Sequence, residues 1–114
     1  MRSRYRIALP DPALAHGTIP ELSFTANGAE AFAEELQAAL REPALFQRWC
    51  ALQDDPDDVE EGLGAVDRQA KVTGEQHDLA IELVVETALP GALLQQRLRW
   101  LAGNHWQLRD VSAA

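Results

Sequence analysis

Leu79-Ala80-Ile81-Glu82-Leu83-Val84-Val85-Glu86-Thr87 alternates between two kinds of side chain. Leu79, Ile81, Leu83 and Val85 fall on one side, and Ala80, Glu82, Val84 and Glu86 on the other. Successive side chains of a strand point to opposite faces, so this run is expected to lay an apolar face on a core and a mixed face outward. Residues 66–73 alternate as well: Val66, Arg68, Ala70 and Val72 against Asp67, Gln69, Lys71 and Thr73. The polar segment 74–78 between the two runs, with Gly74 at its start, suits a hairpin loop.

Downstream, Pro90-Gly91 marks a break and a helix start, because proline is tolerated in a first turn where its missing N–H is not needed. Leu94, Leu98 and Leu101 follow at i, i+4 and i+7, flanked by Leu93 and Trp100, and Gly103 suits a helix end in positive φ. Alternation resumes over 105–111, with Trp106 and Leu108 on one side. Residues 65–111 are therefore expected to form strand, turn, strand, helix and strand.

Upstream, Tyr5, Ile7 and Leu9 alternate with Arg4, Arg6 and Ala8, a short strand stopped by Pro10 and Pro12. Residues 22–26, with Leu22 and Phe24 on one face, suggest an extra short strand. Asn27 with Glu30 three residues on has the form of a capping box. Ala29, Phe32, Ala33, Leu36 and Leu40 then make a continuous apolar stripe at helical spacing. Pro43 ends that helix, and Leu45, Phe46, Trp49 and Leu52 support a second, short one reaching about residue 53. With the extra strand and short helix set aside, the order is β-α-β-β-α-β. This is the split order of an α+β, ferredoxin-like sandwich: an antiparallel sheet with helices packed on one face. A single domain over residues 1–114 is expected, with an acidic loop at 54–62.

The chain has 114 residues, 46% hydrophobic and 25% charged, with a formal net charge of −8. A domain of this size buries roughly two-thirds of its unfolded surface. The negative balance argues against nucleic acid or anionic lipid as a partner. One cysteine leaves no internal disulfide and fits a reducing compartment. The basic start Met1-Arg-Ser-Arg-Tyr-Arg6 resembles a signal n-region, yet the next residues contain Asp11 and two prolines, and no apolar run approaches membrane-helix length. A cytoplasmic location away from the membrane is the expectation.

Candidate chemistry is sparse. The dense carboxylates of residues 54–61 lack calcium-loop spacing, so a solvated loop is the plainer reading than a cation site. Cys50 follows Trp49 on an apolar segment with no histidine near it in sequence, which favours packing over nucleophilic use. His16, His77 and His105 form no ligand pair, and no metal or cofactor is expected. Trp49, Trp100 and Trp106 suit a core edge or a binding contact. Arg2, Arg4, Arg6, Arg97, Arg99 and Arg109 would gather if the first and last strands were neighbours, and pairing with the acidic surplus is their expected use. There is no Gly-rich phosphate loop and no nucleophile elbow. The chain is expected to be a binding or regulatory domain that meets a protein partner, or a second copy as a homodimer, through its open sheet face or an edge strand. Trp100, Trp106, His105 and Arg97 are the candidate contact residues. The alternatives are a small-ligand sensor with a pocket near Trp100 and Trp106, and an enzyme centred on Cys50 or His105.

Overall fold

Alternation fixes which side chains of the sheet are inside. A computed structural model describes residues 2–55, 59 and 61–114. Strand β1 is Ser3–Leu9, helix α1 Ala29–Arg41, helix α2 Ala44–Ala51, strand β2 Lys71–His77, strand β3 Ala80–Thr87, helix α3 Gly91–Ala102 and strand β4 Gln107–Ala113. The four strands form one sheet in the order β2-β3-β1-β4, every neighbouring pair antiparallel. It follows that β1 and β2 run the same way, as do β3 and β4, and the fold is α+β.

Tyr5 lies opposite Val85, Ile7 opposite Leu83 and Leu9 opposite Ile81, and all six are buried. They meet Phe32, Leu36 and Leu40 of α1 and Leu94, Leu98 and Leu101 of α3 in one core. The helical stripes expected at both places are thus the buried faces. The other face of β1 and β3, with Arg4, Arg6, Glu82, Val84 and Glu86, is not covered to the same degree.

Three expectations need correction. Residues 66–70 do not join the second strand. The Asp67 amide donates to the Leu40 carbonyl and its carboxylate accepts from the Gln69 amide, a side-chain turn that competes with an extended ladder. The strand runs instead from Lys71 to His77, through the polar segment expected as loop. Gly74 stands there because a Cβ would lie 2.3 Å from the Ala29 carbonyl oxygen, so the start of α1 rests on its backbone. The hairpin turn is only Asp78-Leu79, with Asp78 at φ 56°, a conformation short polar side chains tolerate, and Leu79 87% exposed rather than on the core face.

The second correction concerns residues 22–26, which form no strand although Leu22, Phe24 and Ala26 are buried in alternation. This segment bonds to helices instead of to the sheet. The Phe24 amide donates to the Leu101 carbonyl, and Glu35 accepts from the amide and hydroxyl of Thr25. Third, α1 is not capped by Asn27. It begins one residue later on Gly28, whose φ of 96° suits glycine, and no side chain caps it. The acidic loop falls partly outside the described residues, which resume with a turn of 3-10 helix at Glu61–Gly64.

Candidate functional site

The four sequence-derived contact residues lie in two neighbourhoods. Arg97 and Trp100 face the same way, one turn apart on α3, with the guanidinium 5.6 Å from the indole centroid. Trp100 stacks on Trp49 of α2 at 5.1 Å, and Phe46 completes the cluster at 5.9 Å from Trp49 and 6.5 Å from Trp100. Aromatic spacing along α2 therefore serves to join it to α3.

Arg97 is 0% exposed. Its Nη2 donates to the Ala65 carbonyl at 2.7 Å and its Nη1 to the Leu63 carbonyl at 3.1 Å and to Gln96 Oε1. Among the described residues, Nε has no partner. Burial disfavours the cation and pushes the guanidinium below its ordinary pKa. A Cβ on Gly64 would sit 2.5 Å from the Phe46 ring, so that glycine lets the 61–65 segment close over the cluster. This arrangement holds α2, α3 and that segment together, and its polar groups are turned inward.

His105 and Trp106 lie where the chain leaves α3 and enters β4. Gly103 takes φ 62°, the His105 amide donates to the Ala102 carbonyl, and Trp106 Nε1 donates to the Gly103 carbonyl at 2.9 Å. The indole is half-buried against the core, while the imidazole is exposed and lines a shallow depression with His16 and Arg99. His16 Nδ1 sits 3.0 Å from the Phe24 carbonyl, which orients that ring. Among the described residues no cluster of three metal-ligating side chains occurs. A depression of about 170 Å³ lined by Asp11, Asn104, His105 and Trp106 is smaller than the roughly 300–1,000 Å³ of small-molecule sites, and a larger, open one of about 430 Å³ beside Pro12, Gln76, Leu79 and Ile81 involves neither Trp100 nor Trp106. Cys50 is a free, half-buried thiol on α2.

The open sheet face pairs its own charges. Arg4 reaches Glu86, directly opposite on β3, at 2.9 Å, and Arg6 reaches Glu82 at 3.1 Å. The hydrogen bond from Arg4 holds the Glu86 carboxyl below its usual range. Arg2 bonds to Asp67 and to the carbonyls of Gln69 and Glu86. Arg2, Arg4 and Arg6 thus take the intramolecular use expected of them.

The two edges of the sheet differ. Along β2, the Val72 amide donates to Gln37 Oε1 of α1, Arg41 donates to the Ala70 carbonyl, and charged Lys71 and Glu75 stand outward. Helix side chains therefore blunt the start of that edge, while Glu75, Gln76 and His77 at its far end are exposed. On β4 all seven residues are exposed. Leu108 lies opposite Ile7 and Val111 opposite Tyr5, on the apolar side of the sheet, yet they are 41% and 51% exposed. The helical layer stops short of this strand. A register shift between Arg6 and Ile7 leaves Arg109 as the extra residue of β4.

Sequence reasoning missed Leu108 and Val111 as a pair because the bulge sets them three residues apart, which breaks the alternation that would have shown a shared face. No helix among the described residues is long and apolar enough to cross a membrane. Comparison of the chain with family models, with curated proteins and with solved structures returns no significant match.

Proposed function

We propose that this chain is a protein-binding module of ferredoxin-like architecture that meets its partner along the β4 edge, entered through His105 and Trp106. The observation that carries the reading is the contrast between edges: α1 covers the first half of β2, bonding the Val72 amide and resting on Gly74, whereas β4 is exposed along its whole length and keeps two apolar side chains uncovered. Unpaired N–H and C=O groups along such an edge accept an added strand, and alternate side chains supply specificity. The architectural reading draws on the β2-β3-β1-β4 order, in which each end of the sheet is reached by a strand that follows a helix and skips one position. The free, half-buried Cys50 suits a reducing compartment such as the cytoplasm.

The test compares wild-type chain with Val111→Lys as affinity baits in a lysate of the source organism, with Glu75→Lys on the β2 edge as control. A binding module of this kind loses its partner in V111K and keeps it in E75K, with both variants as stable as wild type. Equal recovery by V111K would sink the reading.

A further inference from the structure

We propose that the partner at this edge is a second copy of the chain, whose β4 strands pair antiparallel about a two-fold axis between Arg109 and Asp110. The inference rests on the edge-binding reading above and adds the identity of the partner and the register.

The argument comes from the order of side chains along the strand, Gln107-Leu108-Arg109-Asp110-Val111-Ser112. In a two-fold strand pair, residue i faces j while j faces i. With the axis between Arg109 and Asp110, Leu108 of each copy faces Val111 of the other. Arg109 faces Asp110, and Gln107 faces Ser112. Every pair is then chemically matched: apolar with apolar twice, cation with anion twice, polar with polar twice. A shift by one residue in either direction breaks the set. Centred on Arg109, the pairing puts like cations face to face, and centred on Asp110, like anions.

The faces agree as well. Directly opposed residues of an antiparallel pair project on the same side of the sheet. Leu108 and Val111 oppose Ile7 and Tyr5, so both belong to the helix side, where two copies would continue the apolar layer from one chain into the next. Gln107, Asp110 and Ser112 oppose Ala8, Arg6 and Arg4 on the other side, and the bulged Arg109, which opposes no residue of β1, is the one member that the pairing itself would have to bring to that side. Among the described residues, neither Arg109 nor Asp110 is in an ion pair, unlike Arg2, Arg4 and Arg6, so both charges are available to a partner. The strand is locally neutral in a chain of net charge −8, so this edge opposes self-association less than the molecule as a whole does. The product would be one continuous eight-stranded sheet, twice the four strands of one chain.

A seven-residue strand pair is a small interface, so the dimer is weak and shows itself by dilution. Sedimentation velocity of wild type, Arg109→Asp, Asp110→Arg and the R109D/D110R double variant, from about 1 µM to about 1 mM in about 0.15 M salt, tests the register. Each single variant places like charges face to face twice and should weaken association about tenfold or more. The double variant restores opposite charges and should recover it. An equimolar mixture of R109D with D110R should associate more tightly than either alone, because only the mixed pair matches both positions. A wild type that stays monomeric throughout overturns the inference. So do single variants that associate as wild type does, or a mixture no tighter than its components. A monomeric wild type that still loses a lysate partner in V111K overturns the homodimer and leaves edge binding standing. A monomer with no effect of V111K overturns both.

Discussion

Asp67 shows how one side chain can replace a stretch of ladder. Its carboxylate accepts from the amides of Gln69 and Ala88, from the Thr87 hydroxyl and from Arg2, with the side chain only 12% exposed. Burial alone would push its pKa up. The Ala88 and Gln69 amides, the Thr87 hydroxyl and Arg2 outweigh it and hold the carboxyl below its ordinary value. A depressed carboxyl stabilises the fold fully above its unfolded-state pKa and loses that contribution as pH falls through the folded one. Asp67→Asn should therefore cost about 1–3 kcal/mol at pH 7. The gap between its urea midpoint and that of wild type should narrow below about pH 4. A gap that stays constant to pH 2 would show that shape, not charge, is what matters at this position. Arg97 is the second such residue. Arg97→Met leaves two carbonyls of the 61–65 segment without donors and should cost about 1–3 kcal/mol. Arg97→Lys should recover only part, because one ammonium cannot fork to both carbonyls. Chemical denaturation followed by tryptophan emission reads both effects, since the guanidinium lies over the Trp100 ring.

At the scale of elements, backbone contacts decide where segments sit. The loop before α1 closes the end of α3: the Gly17 and Phe24 amides both donate to the Leu101 carbonyl, and Ser23 Oγ joins them. A Cβ at Gly17 would stand 2.2 Å from the Trp100 carbonyl oxygen, backbone that cannot move aside without unwinding the helix end. Gly17→Ala should therefore destabilise by about 1–3 kcal/mol or more, with the loss seen as a lower thermal midpoint. An unchanged midpoint would mean that the loop is not seated on α3. Much of this level was legible in the sequence. The stripes Phe32-Ala33-Leu36-Leu40 and Leu94-Leu98-Leu101 gave both long helices, and Tyr5-Ile7-Leu9 and Ile81-Leu83-Val85 gave the central strands with the correct side inward. What failed did so through tertiary contacts that period does not register. Gly74 looked like a loop residue because its cause, the Ala29 carbonyl, lies far off in sequence. Residues 22–26 alternate in burial as a strand would, yet their backbone groups bond to α1 and α3. The buried arginine inside the α3 stripe carried no signal separating it from Arg99, which is exposed.

For the molecule as a whole, sheet order converts these local facts into unequal strength. Strand β1, the first to leave the N-terminus, is flanked on both sides, by β3 and by the last strand of the chain. No local pattern could have told which outer strand would be covered, because cover depends on where α1 and α3 lie across the sheet. The consequence is a gradient of opening free energies. Amides of β1 and β3 lie between two partners and beneath the core, and their exchange with solvent requires opening of most of the molecule. Amides of β4 have one partner, no helix above them and every side chain in solvent, so in dilute solution they should exchange through local fraying, orders of magnitude faster. Hydrogen exchange resolved by residue, in a sample below the concentration at which copies associate, measures the difference directly. The β4 amides that face away from β1 should be the least protected of the sheet. Raising the concentration should slow those amides while leaving Ile7 and Leu83 unchanged, because association closes an edge without touching the core. If β4 were as protected as β1 at the lowest concentration, the edge would be closed within one chain. The uncovered Leu108 and Val111 would then have no partner to explain them.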